Sequence, residues 1–194
     1  GNLHAVVFNA DELEIIRGLP DTRRRFLDTG IVGLHPPFVR VFTEYNRVIK
    51  QKNALLQKAK DEDISSAQLR DLIDPWNEQL GTFATKIHKA RLRIVERLNE
   101  TMETELFSRE HLAIRYQSSL EGKGDLSDYG ALIRERLAIR LDAEIGSGHC
   151  LIGPHRDDLE ITFDGRDIRK FGSAGQQRSA LLLLQIASIE VYNA

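Results

Sequence analysis

Cysteine occurs once in this 194-residue chain, as Cys150, and methionine and tryptophan occur once each, as Met102 and Trp76. A single thiol cannot form an intrachain disulfide, so the fold must be held by burial, and a reducing, cytoplasmic setting is expected. No run approaches the 18 or so apolar residues that a membrane-spanning helix needs. The opening Gly1-Asn2-Leu3-His4 lacks the character of a secretion signal and carries no initiating methionine, so a processed, tagged or excised chain is expected. Neither sign of charge dominates: 27 Lys and Arg face 29 Asp and Glu, a formal net charge of -2. Bulk attraction to nucleic acid is thereby excluded, and any such contact must come from a local patch. Internal repeats and low-complexity tracts are also lacking. What is present is an ordinary globular balance, 41% hydrophobic and 29% charged, sufficient for one or two domains.

Along the chain, Leu3–Phe8 reads as a buried strand, with Asp11 as the cap of a following short helix over 12–17 that Gly18-Leu19-Pro20 ends. Residues 22–28 look like further helix. From Phe38 the apolar residues Val41, Phe42, Tyr45, Val48, Ile49, Leu55 and Leu56 fall at steps of three and four, the stripe of a long amphipathic helix. A charged turn at 58–63 follows, then a short helix from Ser65 or Ser66 to Ile73. Asp74-Pro75 reads as the start of a second long helix, because Asp caps free N–H groups and Pro suits the first helical position. Its stripe of Trp76, Leu80, Phe83, Ile87, Ala90, Ile94, Leu98 and Met102 runs to about Leu106. The two stripes predict an antiparallel helical hairpin, with Trp76 in its core. Leu112–Tyr116 alternates like a strand, and 117–127 is a polar, glycine-containing loop. A helix over 129–145 closes at Gly146-Ser147-Gly148. The tail has β character at Leu151-Ile152 and at Leu159–Phe163, an Asp164-Gly165 hairpin turn, a partner strand over 166–171, and a well-buried helix over 176–191.

The segment with the clearest chemistry is Phe171-Gly172-Ser173-Ala174-Gly175-Gln176-Gln177-Arg178, a small polar loop entering a helix after a β segment. Loop glycines let backbone N–H groups approach a ligand, and a helix N-terminus adds free donors and positive potential, which suits a phosphate. Taken alone, it can equally be a turn and a helix cap. Upstream stands Gly153-Pro154-His155-Arg156-Asp157-Asp158-Leu159. A kinase catalytic loop is excluded there, since the asparagine that motif requires is Thr162. A metal site from His155, Asp157 and Asp158, or an Arg-Asp network bracing the chain, are the other readings. Arg23-Arg24-Arg25 is either a DNA-phosphate patch or a solvated face paired with Asp21 or Asp28. Basic residues at 40, 47, 50 and 52, and at 86, 89, 91, 93 and 97, read as the polar backs of the long helices or as DNA contacts.

The two motifs, in this order and at this separation, resemble the RecF family, in which a G-P-H-R-D-D-L stretch precedes a G-S-x-G-Q-Q-R stretch serving as the signature motif of an ABC-type ATPase. The likeness extends through Val7-Phe8, Asp11 to Leu13, Gly18, Arg23 to Asp28 and Gln51 to Leu56, with Ala174 standing where a more polar residue is usual. It implies a mixed α/β, mainly α fold, in which a helical lid formed by a long-helix hairpin is attached to part of an ABC-type head. The implied division is 1–35 head, 36–147 lid, and 148–194 β segments with the signature helix. Ser173, Gly175, Gln176 and Gln177 are implied to contact, in trans, the ATP of another subunit, with His155, Arg156, Asp157 and Arg178 in support and Arg23, Arg24 and Arg25 toward DNA. ATP and Mg2+ are implied for the full-length protein and no metal site for this chain. No G-x-x-x-x-G-K-[ST] loop occurs anywhere in the sequence, and no Walker B carboxylate pair follows the signature segment, so no catalytic residue, no bound cofactor and no turnover are expected of this chain alone. The implied partners are gapped DNA at single-strand/duplex junctions, a second copy in an ATP-dependent homodimer, and a RecR-type mediator, with no membrane. The alternatives are a non-catalytic helical interaction module and another SMC-type ATPase, whose coiled-coil arms would be longer than this hairpin.

Overall fold

The computed structural model describes residues 10–103 and 111–193, the side chains of residues 10 and 11 apart. The strand expected over Leu3–Phe8, the cap at Asp11 and the last residues of the long helix up to Leu106 lie outside the described residues. In chain order the elements are α1 (Glu14–Arg17), α2 (Pro20–Leu34), α3 (Val39–Asp61), α4 (Ser66–Thr101), β1 (Leu112–Gln117), α5 (Tyr129–Ile139), α6 (Leu141–Ser147), β2 (Asp158–Phe163), β3 (Arg166–Asp167), α7 (Ile168–Phe171) and α8 (Ala174–Asn193). Among the described residues the fold is mainly helical with one small antiparallel sheet, as the resemblance implied.

The chain forms two compact units, one of residues Gly1–Gly30, Arg93–Tyr116 and Asp158–Ala194, the other of Ile31–Leu92 and Gln117–Asp157. The expected division into 1–35, 36–147 and 148–194 sets its boundaries elsewhere. Residues 93–116 join the first unit and 148–157 the second, because α4 is one uninterrupted helix whose apolar stripe does not reveal where its packing partners change.

In the helical unit α3 and α4 share one core: Tyr45, Val48, Leu56 and Ala59 pack with Leu69, Ile73, Leu80, Ala84 and Ile87. Arg47, midway along α3, donates to Gln79 in the first half of α4 at 3.2 Å, which places the helices antiparallel across the short 62–65 connection. Pro75 does not start a helix but lies inside α4. Proline removes one backbone donor there, yet buried Leu69 and Ile73 before it and Leu80 and Ala84 after it continue one stripe into the same core. Trp76 is only partly buried at the edge of that core, under the Arg47 guanidinium at 5.6 Å. The expected helix over 129–145 is two, α5 and α6, meeting at Arg140, and α6 packs on α3. Gly148, at φ 75°, ends α6 in the left-handed conformation that glycine accepts at a helix C-terminus.

In the other unit the sheet order is β1-β2-β3. The backbone pair of His111 with Asp164, the Thr162 to Ala113 hydrogen bond and the Arg115–Glu160 ion pair set β1 antiparallel to β2. Leu112, Ile114 and Tyr116 of β1 and Leu159, Ile161 and Phe163 of β2 are buried. Asp164 and Gly165, at φ 48° and 76°, make the tight turn that pairs β2 with β3. β3 is only two residues long. Beyond it the chain turns into α7, because the Asp167 carboxylate caps a helix by accepting from the Arg169 N–H at 2.9 Å, a cap that the strand expected over 166–171 overlooked. Leu151-Ile152 forms no strand either. α8 buries Ala180, Leu181, Leu183, Leu184, Ala187 and Val191.

Candidate nucleotide-phosphate site

The loop between α7 and α8 is shaped by its own residues. A Cβ at Gly172 would lie 2.5 Å from the Ile168 carbonyl oxygen, so glycine is the residue that lets α7 end and the chain turn outward. Ser173 and Gln176 then form a reciprocal capping box: the Gln176 N–H donates to Ser173 Oγ at 3.2 Å and the Ser173 N–H to Gln176 Oε1 at 2.9 Å. Both side chains are exposed. The box leaves the N–H groups of Ala174 and Gly175 in the first turn of α8, where no intrahelical acceptor exists. Gly175 has no steric reason to be glycine, since the nearest atom to an added Cβ is Ser173 Oγ at 3.9 Å. Beside the loop lies a cavity of about 280 Å³ lined by Phe163, Asp164, Arg166, Ile168, Phe171, Gly172 and Gln176.

Gln177 departs from the expectation. Its side chain is buried, accepting from Arg17 Nε at 2.5 Å and donating to the Ile168 carbonyl at 3.2 Å. It therefore anchors α8 to α1 and α7 and is removed from the set that can meet a ligand. Arg178 is exposed one residue further on.

The Gly153–Asp158 stretch is held from several sides. Gly153 has φ 138°, and a Cβ there would collide with the Tyr45 hydroxyl. The Pro154 carbonyl accepts from the buried Arg91 at 2.8 Å. His155 Nε2 lies 3.0 Å from the Cys150 carbonyl, which can only accept, so that nitrogen carries the proton and Nδ1 receives the Tyr45 hydroxyl at 2.7 Å. Burial, above all, holds the Tyr45 hydroxyl well above its usual pKa, so it remains a donor. Asp157 is fully buried and accepts from the Ser119 N–H at 2.6 Å. Asp158 takes Arg23 Nε at 2.6 Å and Nη2 at 3.3 Å. With the donor atoms of His155, Asp157 and Asp158 so committed, the metal reading is set aside, and the bracing network describes the stretch better. Among the described residues no group of three or more His, Cys, Asp or Glu is placed to hold a metal ion.

The supports of this stretch include a residue expected on a polar helix back. Lys52, expected on an outer face, is fully buried and meets Glu144, also fully buried, at 2.7 Å. Glu144 Oε1 accepts from the Leu151 N–H at 2.8 Å, and Asn53 Oδ1 from the Cys150 N–H at 2.7 Å. Burial raises the Cys150 thiol to about 12. The signal lay in Gln51–Leu56, part of the family likeness, though nothing local assigns it this task.

No family model matches the chain. It is 34% identical over 199 residues to the DNA replication and repair protein RecF of Halothermothrix orenii, covering 98% of this chain and 52% of that protein. To RecF of Pelotomaculum thermopropionicum it is 36% identical over 196 residues, covering 97% and 52%. Two solved structures of the recombination mediator protein RecF in the RecFOR pathway, as RecF-ATPrS and as RecF-ATP, superpose with TM-scores of 0.85 and 0.84, each at 30% identity over 95% of this chain. The chain belongs to the RecF family. It spans about half the length of the curated relatives it matches.

For a RecF-family chain, the arginine triplet divides. Arg23 is fully buried, its Nη1 donating to the Gly18 carbonyl at 2.8 Å while the rest of the guanidinium holds Asp158. It cannot face DNA, and the expectation for it is corrected. Arg24 is half-buried; Arg25 is exposed and 3.8 Å from the exposed Asp21. Arg91, also read as part of a polar back, is buried under Pro154. None of the described helices is long and apolar enough to cross a membrane.

Proposed function

We propose that the loop Gly172–Gln176 is the signature motif of an ABC-type ATPase and meets, in trans, the γ-phosphate of ATP held by a second copy of the whole protein. Gly175 carries this reading. An exposed glycine in the first turn of a helix costs stability relative to alanine, and no atom of the described chain requires it. The omitted Cβ is explained by a ligand that must come close to the backbone N–H groups of Ala174 and Gly175, where the helix dipole also favours negative charge. Ser173 Oγ and the Gly175 N–H supply the phosphate contacts, and Gln176 holds Ser173 in place.

In the whole protein, ATP with Mg2+ then joins two heads into a dimer. The relatives named for DNA replication and repair and the structures placed in the RecFOR pathway support action on gapped DNA alongside a RecR-type mediator, in the cytoplasm. Arg24, Arg25 and Arg178 are the remaining candidates for contact with DNA or nucleotide, with the helical unit as lid.

Ser173→Arg in the whole protein tests the reading. The long cation fills the space a γ-phosphate must enter, so ATP-dependent dimerisation and hydrolysis should fail while ATP binding and folding persist. A variant that dimerises and hydrolyses like the parent would reduce Ser173 to a helix cap.

A further inference from the structure

Arg156 ends a single 3-10 turn, Pro154–Arg156, whose other parts are already engaged. Gly153 is locked by its backbone conformation, the Pro154 carbonyl by Arg91, the His155 ring at both nitrogens, and the following Asp157 by the Ser119 N–H. The Arg156 backbone is pinned as well, its N–H donating to the Gly153 carbonyl at 3.0 Å. Its side chain, by contrast, is exposed, and among the described residues the guanidinium has no hydrogen-bond or ion-pair partner.

Burying Arg91, Asp157 and the Tyr45 hydroxyl is costly, and a loop that merely crosses the surface does not require it. What the arrangement achieves is a fixed origin for one long cationic side chain. A fixed origin lowers the ordering cost of a contact made outside the chain. A guanidinium presents a planar fork of N–H donors that matches an oxyanion better than an ammonium does. We infer that Arg156 is a positioned phosphate-contacting residue, whose guanidinium binds a phosphate oxyanion that comes from a bound nucleotide or from a DNA backbone. The choice of phosphate over a carboxylate rests on the reading above, in which ATP and DNA are what the whole protein handles.

The test uses the whole protein with Arg156→Ala and Arg156→Lys, an ATP titration, ATP-dependent dimerisation by sedimentation, and binding of a gapped duplex oligonucleotide across a salt series. If the phosphate belongs to nucleotide, Arg156→Ala weakens ATP binding or ATP-dependent dimerisation about tenfold and leaves the salt slope of DNA binding unchanged. Lys then restores little, because the fork is lost. If the phosphate belongs to DNA, affinity falls uniformly across sequences, the log–log salt slope shrinks by about one, and Lys restores the slope. Ser173→Arg run in parallel separates the two readings: a silent Ser173→Arg beside an affected Arg156→Ala rejects the signature assignment and leaves this inference standing. Arg156→Ala within twofold of the parent in every titration overturns the inference. So does a lowered melting temperature with the titrations unchanged, which would mean an ion pair with a carboxylate elsewhere in the whole protein.

Discussion

Arg23 and Asp158, 135 residues apart in sequence, close an ion pair of 2.6 Å in which the guanidinium is entirely removed from solvent. Arg23 also donates to the Gly18 and Ile15 carbonyls, so one side chain ties β2 to the entrance of α2. Truncating Arg23 leaves the Asp158 carboxylate with only the longer contact to Arg169 at 3.8 Å. Arg23→Ala is expected to destabilise the whole protein by about 3 kcal/mol, whereas Arg25→Ala, on an exposed pair, should change stability by no more than about 0.5 kcal/mol. Denaturant melts of the two variants decide it, and equal effects would contradict the burial of Arg23.

Gly175→Ala separates stability from function. Alanine is the better helix former by up to about 1 kcal/mol, and its Cβ would meet only Ser173 Oγ, at 3.9 Å. The variant should therefore melt at or slightly above the parent while its ATP-dependent dimerisation weakens. Loss of stability, or full dimerisation, would remove the ligand as the reason for glycine.

Lys52 and Glu144 form a pair with neither side chain exposed. Lys52→Met alone should cost about 3 kcal/mol by leaving a buried carboxylate unmatched. Adding Glu144→Gln removes that charge and keeps an acceptor for the Leu151 N–H, so the double variant should recover much of the loss. A double-mutant cycle on unfolding free energies measures the coupling, and strictly additive effects would show the pair to be independent.

Acidification should act through His88, buried and stacked on Tyr129 at 4.0 Å between ring centroids. Its pKa is lowered, chiefly by burial, with Arg91 and Lys89 acting in the same direction and Asp157 opposing. A base held below its unfolded value binds fewer protons when folded, so its penalty is absent well above about pH 6.5. Stability then declines as pH falls from that value toward the folded pKa. His88→Gln should flatten this portion of the stability–pH profile. An unchanged slope would assign the decline to other groups.

What the sequence determined by itself is what neighbouring residues decide among themselves. The stripes of α3 and α4 are visible because helical periodicity is local, and so are the Asp164-Gly165 turn and the Ser173-x-x-Gln176 loop at the head of α8. Where a local signal failed, the packing around it was stronger. Asp74-Pro75 has the form of a helix start, but the buried residues on both sides of it keep α4 continuous. Which lysine is buried, which arginine of three is removed from solvent, and which glutamine of two is an anchor were decided only by tertiary structure. Lys52, Arg23 and Gln177 acquire those roles from Glu144, Asp158 and Arg17, partners far along the chain. Among 27 cations and 29 carboxylates, composition and spacing do not select such pairs; desolvation does, by making each buried charge costly unless the fold brings its one partner within hydrogen-bond reach.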